Sequence, residues 1–253
     1  MSNNFNDLGN AEIFSTWCFN LEYKEIPNEV IDKLKLIFMD SLGLIFASRN
    51  EDYIKAIKQS FTDSGNCTVP GHLEKLCPSD AIVLNGTAIH GEDFDDTFEG
   101  TPVHVGSVMC SSLLTAAEYY KLKPKEILKG LAVGSELMCR LALVSPMAIH
   151  KQGFHPTAIL GAFGASIGIS KILKNSVLQT TSSLGIVGSM ASGIIEYLAE
   201  GTWTKRLHPG WAGASGWKSA HLGKNNFKGP RTVFEGKNGI FNSFADSKII
   251  PDF

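Results

Sequence analysis

The chain has 253 residues, and its 43% hydrophobic and 19% charged residues are the balance of a globular protein with one large or two small domains. A net charge of −2 argues against a nucleic-acid partner, and no apolar run reaches the roughly 18 residues of a membrane span. The N-terminus does not resemble a signal peptide, and five cysteines without a C-x-x-C pair disfavour a disulfide framework and a zinc site. We therefore expect a cytoplasmic protein.

Most of the sequence has the apolar spacing of α-helices. Pro27 and Pro124 stand near the starts of two long amphipathic segments, where proline is favoured. The predicted helices cover 26–48, 107–120, 123–143, 156–173, 176–201 and 211–223. Because no run of alternating strand residues is found, the expected class is all-α.

Glycines recur inside two of these predicted helices, although each costs roughly 1 kcal/mol relative to alanine. Gly161, Gly164 and Gly168 are three or four residues apart and fall on one side of their helix. Close helix–helix packing is the favoured explanation, and backbone approach to a ligand is the alternative.

The stretch NGTAIHGEDFDDTFEGTPVHVGS, residues 85–107, contains five acidic side chains and two histidines. A calcium loop starting at Asp93 fails, because Phe98 and His104 occupy the positions that require glycine and glutamate. A magnesium site on Asp95 and Asp96 and a solvated acidic loop both remain open. The prediction is that no metal is bound.

Two later motifs, GFHPTA and RLHPGWA, each place a histidine before a proline. Proline at the first helical position predicts His155 and His208 at or near helix N-caps, where free N–H groups attract a carboxylate. A capping or core histidine is the alternative for each. Lys205 follows a predicted long helix, where a cation is favourable for stability alone, but it could also bind a carboxylate.

Together these residues suggest proton chemistry beside carboxylates without a cofactor. No nucleophile elbow, Gly-x-Gly-x-x-Gly motif or P-loop is present. The candidates for proton transfer, carboxylate binding and orientation are His104, His155, His208, Lys205, Arg206, Asp93, Asp96 and Thr97.

The motifs NGTAIHGEDFDDT…HVGS, GFHPTAILGAFGAS and WTKRLHPGWAGASGW, in this order over about 85–216, resemble the MmgE/PrpD family. That family contains 2-methylcitrate dehydratases, cis-aconitate decarboxylases and iminodisuccinate epimerases. The resemblance implies a large all-α domain, a smaller α/β lid domain, a site between them and a homodimer formed by the helical domain.

Carried over by motif, the resemblance implies that Asp93, Thr97, His104, His155 and Lys205 line the substrate pocket. We predict His104, His155 and Asp93 as catalytic. Thr97, Lys205, His208 and Asp96 are predicted to bind substrate. Val105 departs mildly from the family pattern, which has proline there.

Members of the family are much longer than this chain. The expectation is a helical domain over residues 1–230 and the start of a truncated lid domain over 231–253. The predicted function is a cofactor-independent lyase that dehydrates or decarboxylates a citrate-like di- or tricarboxylate, with epimerisation still open. The alternative is a truncated, non-catalytic or split-enzyme subunit that keeps the dimer surface and part of the ligand site.

Overall fold

A computed structural model describes residues 8–245, and most of them are helical. The twelve α-helices in this range are α1 (Asn10–Asn20), α2 (Asn28–Ser48), α3 (Asp52–Ser60), α4 (Pro78–His90), α5 (Val105–Tyr120), α6 (Pro124–Val144), α7 (Ala148–Lys151), α8 (Pro156–Ile172), α9 (Val177–Gly188), α10 (Tyr197–Glu200), α11 (Thr204–Lys224) and α12 (Ile240–Phe244). Antiparallel strands β1 (Ser64–Thr68) and β2 (Lys75–Leu76) form a small hairpin. The expected all-α fold is confirmed.

Helix α8 is the centre of the fold. All its residues except Lys171 are buried, and it packs against α5, α6, α9 and α11. A helix that is apolar on every side can only be stable when it is surrounded in this way. In the described range, no helix combines the length and apolarity needed to cross a bilayer.

Glycines allow α6 and α8 to approach within backbone contact. A Cβ atom built on Gly164 would lie 2.9 Å from the carbonyl oxygen of Gly134, and one on Gly168 would lie 2.8 Å from that of Gly130. These distances are too short for a real side chain. Close packing is therefore the reason for these glycines, as the sequence had favoured.

Two predicted helices have different boundaries in the structure. The helix expected over 176–201 ends at Gly188, because Gly193 adopts a φ of +144° and its carbonyl accepts a hydrogen bond from the His155 N–H at 2.9 Å. The last long helix begins at Thr204 and continues through Pro209. His208 therefore lies inside α11, and its predicted N-cap position is wrong.

The described part of the C-terminal segment packs on the helical core. Phe234 is fully buried, with its ring centroid 5.2 Å from that of Phe163 and 6.3 Å from that of Phe14. The predicted domain boundary near residue 230 stays a prediction. Residues 246–253 of the expected lid segment lie outside the described residues.

We predict that Gly164→Ala lowers the free energy of unfolding by about 1–3 kcal/mol, because the new methyl group would press on the Gly134 carbonyl oxygen. Gly43→Ala is the matched control, since a Cβ at this exposed position of α2 meets nothing within 4 Å. It should stabilise by about 0.4–1 kcal/mol. Denaturant unfolding measures both, and equal effects would contradict the packing explanation.

Candidate active site

Four helix ends meet at one place and bring most of the predicted residues together. His90 ends α4, and the loop 91–104 connects it to His104, the N-cap of α5. His155 is the N-cap of α8, as predicted. Lys205 and His208 lie in the first two turns of α11.

A buried carboxylate links two of the imidazoles. Both carboxylate oxygens of Asp95 lie 3.0 Å from Nδ1 of His90, and Oδ1 lies 3.3 Å from Nδ1 of His104. An ionised carboxylate can only accept hydrogen bonds, so His90 donates its Nδ1 proton to Asp95, and Nε2 is the basic position of its neutral ring. Nδ1 of His104 lies beside the same carboxylate and 3.5 Å from the Thr97 hydroxyl.

Asp95 is ionised although its side chain is only 1% exposed. Burial alone would raise its pKa, but the hydrogen bonds and charges of His104 and His90 outweigh burial and lower the pKa. Burial lowers the pKa of His90, whose Nε2 has no hydrogen-bond partner among the described residues. Leaving such an atom unpaired costs about 1–3 kcal/mol.

The rings of His155 and His208 are joined by a hydrogen bond. Their Nδ1 atoms are 3.1 Å apart, so one ring donates and the other accepts. Burial, together with the neighbouring histidines, holds the pKa of His155 well below its usual value. Burial and the charge of His90 lower the pKa of His208 to about 4. Both rings are therefore neutral at pH 7.

Tyr197 completes the enclosed side of the site. Its ring centroid lies 6.0 Å from that of His155 and 5.7 Å from that of His208. Burial, reinforced by the charge of Asp93, raises the pKa of Tyr197 to about 12. The phenol therefore keeps its proton at neutral pH and can donate it in a hydrogen bond.

The open side of the site is an ion pair between Lys205 and Asp93. Their side chains are 26% and 59% exposed. Lys205 lies in the first turn of α11, so the expected stabilisation at a helix C-terminus is wrong and the helix dipole is unfavourable to it. Burial raises the pKa of Asp93, but the hydrogen bond to Lys205 and the charge of Lys205 outweigh burial, so the pKa is lowered.

Asp96 and Thr97 lie at the edge of the histidine cluster, each with one contact to the start of α5. Asp96 accepts a hydrogen bond from the N–H of Gly106 at 2.8 Å, which anchors the first turn of α5. Burial raises the pKa of Asp96 against this bond. Thr97 is exposed, and its hydroxyl lies 3.5 Å from Nδ1 of His104. Substrate contact by these two residues stays a prediction.

The cluster also has the composition of a metal site. His90, Asp93, Asp95 and His104 can each offer a ligand atom within 4.8 Å of the others. Two imidazole N–H groups already engage Asp95, and the ammonium of Lys205 neutralises Asp93 and would repel a divalent ion. Asp96, the other residue of the possible magnesium site, is not part of this group, and its Oδ1 accepts from the Gly106 N–H at the start of α5. That no metal is needed stays a prediction.

Sequence reasoning left His90, Asp95 and Tyr197 out of the predicted site. His90 and Asp95 lie in the acidic stretch, and their five-residue spacing across a helix end was the available signal. Tyr197 had no such signal, because its position depends on where α9 stops. A cavity of about 420 Å³ between α9 and residues 230–244 contains none of the clustered histidines.

Comparisons with known proteins agree with the motifs. The profile of the MmgE/PrpD N-terminal domain matches residues 12–251. Human cis-aconitate decarboxylase is 30% identical over 95% of this chain and 52% of its own length. A cis-aconitate decarboxylase-like protein of Aspergillus oryzae is 29% identical over 89% of this chain and 49% of its own length. The cis-aconitate decarboxylase of Aspergillus terreus is 25% identical over 89% of this chain and 48% of its own length.

The chain thus spans about half the length of the curated relatives it matches. The profile match covers nearly all of the sequence and includes each of the clustered histidines. The chain belongs to the MmgE/PrpD family.

Proposed function

We propose that this chain carries the helical part of the active site of a cofactor-independent lyase. The substrate is a citrate-like di- or tricarboxylate, and decarboxylation is favoured over dehydration by the names of the relatives. The observation that supports this most is the convergence of four imidazoles and one ammonium group at four helix ends. The five unpaired cysteines support a cytoplasmic location, which cell fractionation would test.

The chemistry needs one acid and one base beside a bound anion. Loss of CO2 breaks a carbon–carbon bond and leaves the electron pair on the neighbouring carbon, which must then receive a proton. Dehydration instead removes a C–H proton next to a carboxylate and protonates the leaving hydroxyl. His104 and His155 can act as acid and base in either reaction, because His104 lies beside Asp95 and His155 is hydrogen-bonded to His208.

Substrate carboxylates would meet Lys205 on the exposed side of the site. Its ammonium is already paired with Asp93, so a carboxylate would compete for or share that contact. The start of α8 at His155 adds partial positive charge to the same region. The neutral state of His155 and His208 allows them to accept a proton once an anion is bound.

The primary test is an assay of the purified protein with cis-aconitate, citrate and 2-methylcitrate, followed by absorbance and by CO2 release. Turnover of any of them supports the lyase. Binding without turnover would favour the alternative, a subunit that keeps part of the ligand site. If the protein neither binds nor turns over any of these compounds at millimolar concentration, the proposal is overturned.

We predict that His104→Ala and His155→Ala each lower the turnover rate by about 10²–10⁴-fold, the usual effect of removing a general acid or base. His72→Ala, in the turn between β1 and β2, is the control and should retain full turnover. Steady-state kinetics on folded variants measure this. Unchanged rates in both site variants would remove the two histidines from the chemistry.

Lys205→Met should weaken binding of citrate-like ligands by about 10- to 100-fold, the value of one charge-assisted contact. Stability should change little, because the partner Asp93 is exposed and exposed ion pairs contribute little. Lys218→Met, at an exposed position of the same helix, is the control. Calorimetric affinities that are equal in all three proteins would exclude Lys205 as a ligand contact.

We also propose a homodimer formed by the helical domain, as the family resemblance implies. Large apolar side chains that remain exposed on this domain include Met39, Leu143 and Leu178. Covering such groups favours association. Light scattering at micromolar concentration should give twice the 27.4 kDa chain mass, and a stable monomer would contradict the proposal.

A further inference from the structure

Asp95 is the most deeply buried charged group of the site, and its position fits the orienting role that the sequence had suggested for Asp93 and Asp96. Its side chain is 1% exposed, whereas that of His104 is 12% exposed. Asp95 thus lies behind His104, out of reach of a substrate on the open side. It contacts the proposed acid/base group without facing the ligand.

We infer that Asp95 is a positioning residue, which fixes His104 with its proton on Nδ1 and its basic Nε2 towards the open site, and that His90 holds Asp95 in place. The expected effect of Asp95 on turnover rests on the proposed function. The structural part of the inference concerns the tautomer of a histidine, which can be measured whether or not the protein is an enzyme.

The backbone of His104 is held by neighbouring side chains, and its imidazole ring is not. The backbone N–H of His104 donates to the hydroxyl of Thr157 at 3.1 Å, and its carbonyl accepts from the hydroxyl of Ser107 at 3.2 Å. The main chain is therefore anchored on both sides. The imidazole can still rotate, and its polar neighbours are Asp95, 3.3 Å from Nδ1, the exposed Thr97 hydroxyl, 3.5 Å from Nδ1, and Asp93, 4.0 Å from Nε2. Asp95 is the buried one of these three, and the orientation with Nδ1 towards it leaves Nε2 on the open side beside Asp93.

Among the described residues, the side chain of His90 makes hydrogen bonds to Asp95 alone. Its ring packs against the rings of His104 and His155, with centroid distances of 4.5 and 5.8 Å. An apolar ring of this size would fill the same buried space without leaving Nε2 unpaired. The hydrogen bond from Nδ1 to the carboxylate is what distinguishes histidine from such a ring here.

Asp95 would also stabilise His104 when that ring accepts a proton. The new charge then lies within hydrogen-bond distance of a buried carboxylate, and the proton on Nε2 is available for return to the substrate. The proton passes between Nε2 and the substrate carbon or hydroxyl. Asp95 itself stays ionised throughout, as the buried carboxylate of a serine protease triad does.

The first experiment is ¹⁵N nuclear magnetic resonance of the imidazoles in the unmodified protein near pH 7. His90 and His104 should both show the Nδ1–H tautomer, with their signals assigned by their loss in His90→Asn and His104→Gln. An Nε2–H tautomer at His104 would overturn the inference. This result does not depend on turnover, so it is separate from failure of the proposed function.

The second experiment compares variants. Asp95→Asn should release the tautomer of His104 and, in an active enzyme, lower kcat by at least about 10²-fold with a smaller change in KM. Asp32→Asn makes the same chemical change on the exposed face of α2 and should do neither. An Asp95→Asn protein that is folded and keeps both the tautomer and kcat would contradict the inference.

The third comparison separates positioning from packing at His90. The amide N–H of His90→Asn can still donate to Asp95, whereas the ring of His90→Phe fills the space without a donor. We expect the tautomer of His104 and the turnover to be better preserved in His90→Asn. Better preservation in His90→Phe would show that His90 only fills space.

Discussion

The site depends on how closely α8 can be packed. Because Gly164 and Gly168 bring its backbone against that of α6, α8 lies within the bundle and its first turn reaches the meeting point of α4, α5 and α11. His155 is placed there as a helix N-cap, without any contribution from its own side chain to the cap. Larger residues on this face of α8 would move His155 relative to the groups on the other helices.

The charges at this meeting point are balanced within a few ångströms. Four buried or half-buried imidazoles would repel one another if protonated, and burial keeps the pKa values of His90, His155 and His208 low. Asp95 supplies the one deeply buried negative charge, and two N–H groups solvate it. A positive charge on either imidazole beside Asp95 would therefore lie next to this carboxylate.

Sequence patterns predicted the helical class and the N-cap position of His155, and the family resemblance implied that the motif residues line one pocket. They could not predict that α9 stops at Gly188, because that depends on Gly193 bonding to His155 from another part of the chain. The same limit applies to Pro209, which normally marks a helix start. Here the preceding turn is helical because contacts such as Arg206 with the Gly91 carbonyl, at 2.6 Å, hold it in place.

The described residues provide one wall of a site rather than an enclosure. The side chains of Lys205 and Asp93 are partly exposed, and water and salt screen an ion pair that solvent can reach. Electrostatic catalysis is far more effective where water is excluded. A surface that excluded water from Lys205 would strengthen its contact with a carboxylate. Affinity should therefore respond more than the histidine tautomers to whatever covers this wall.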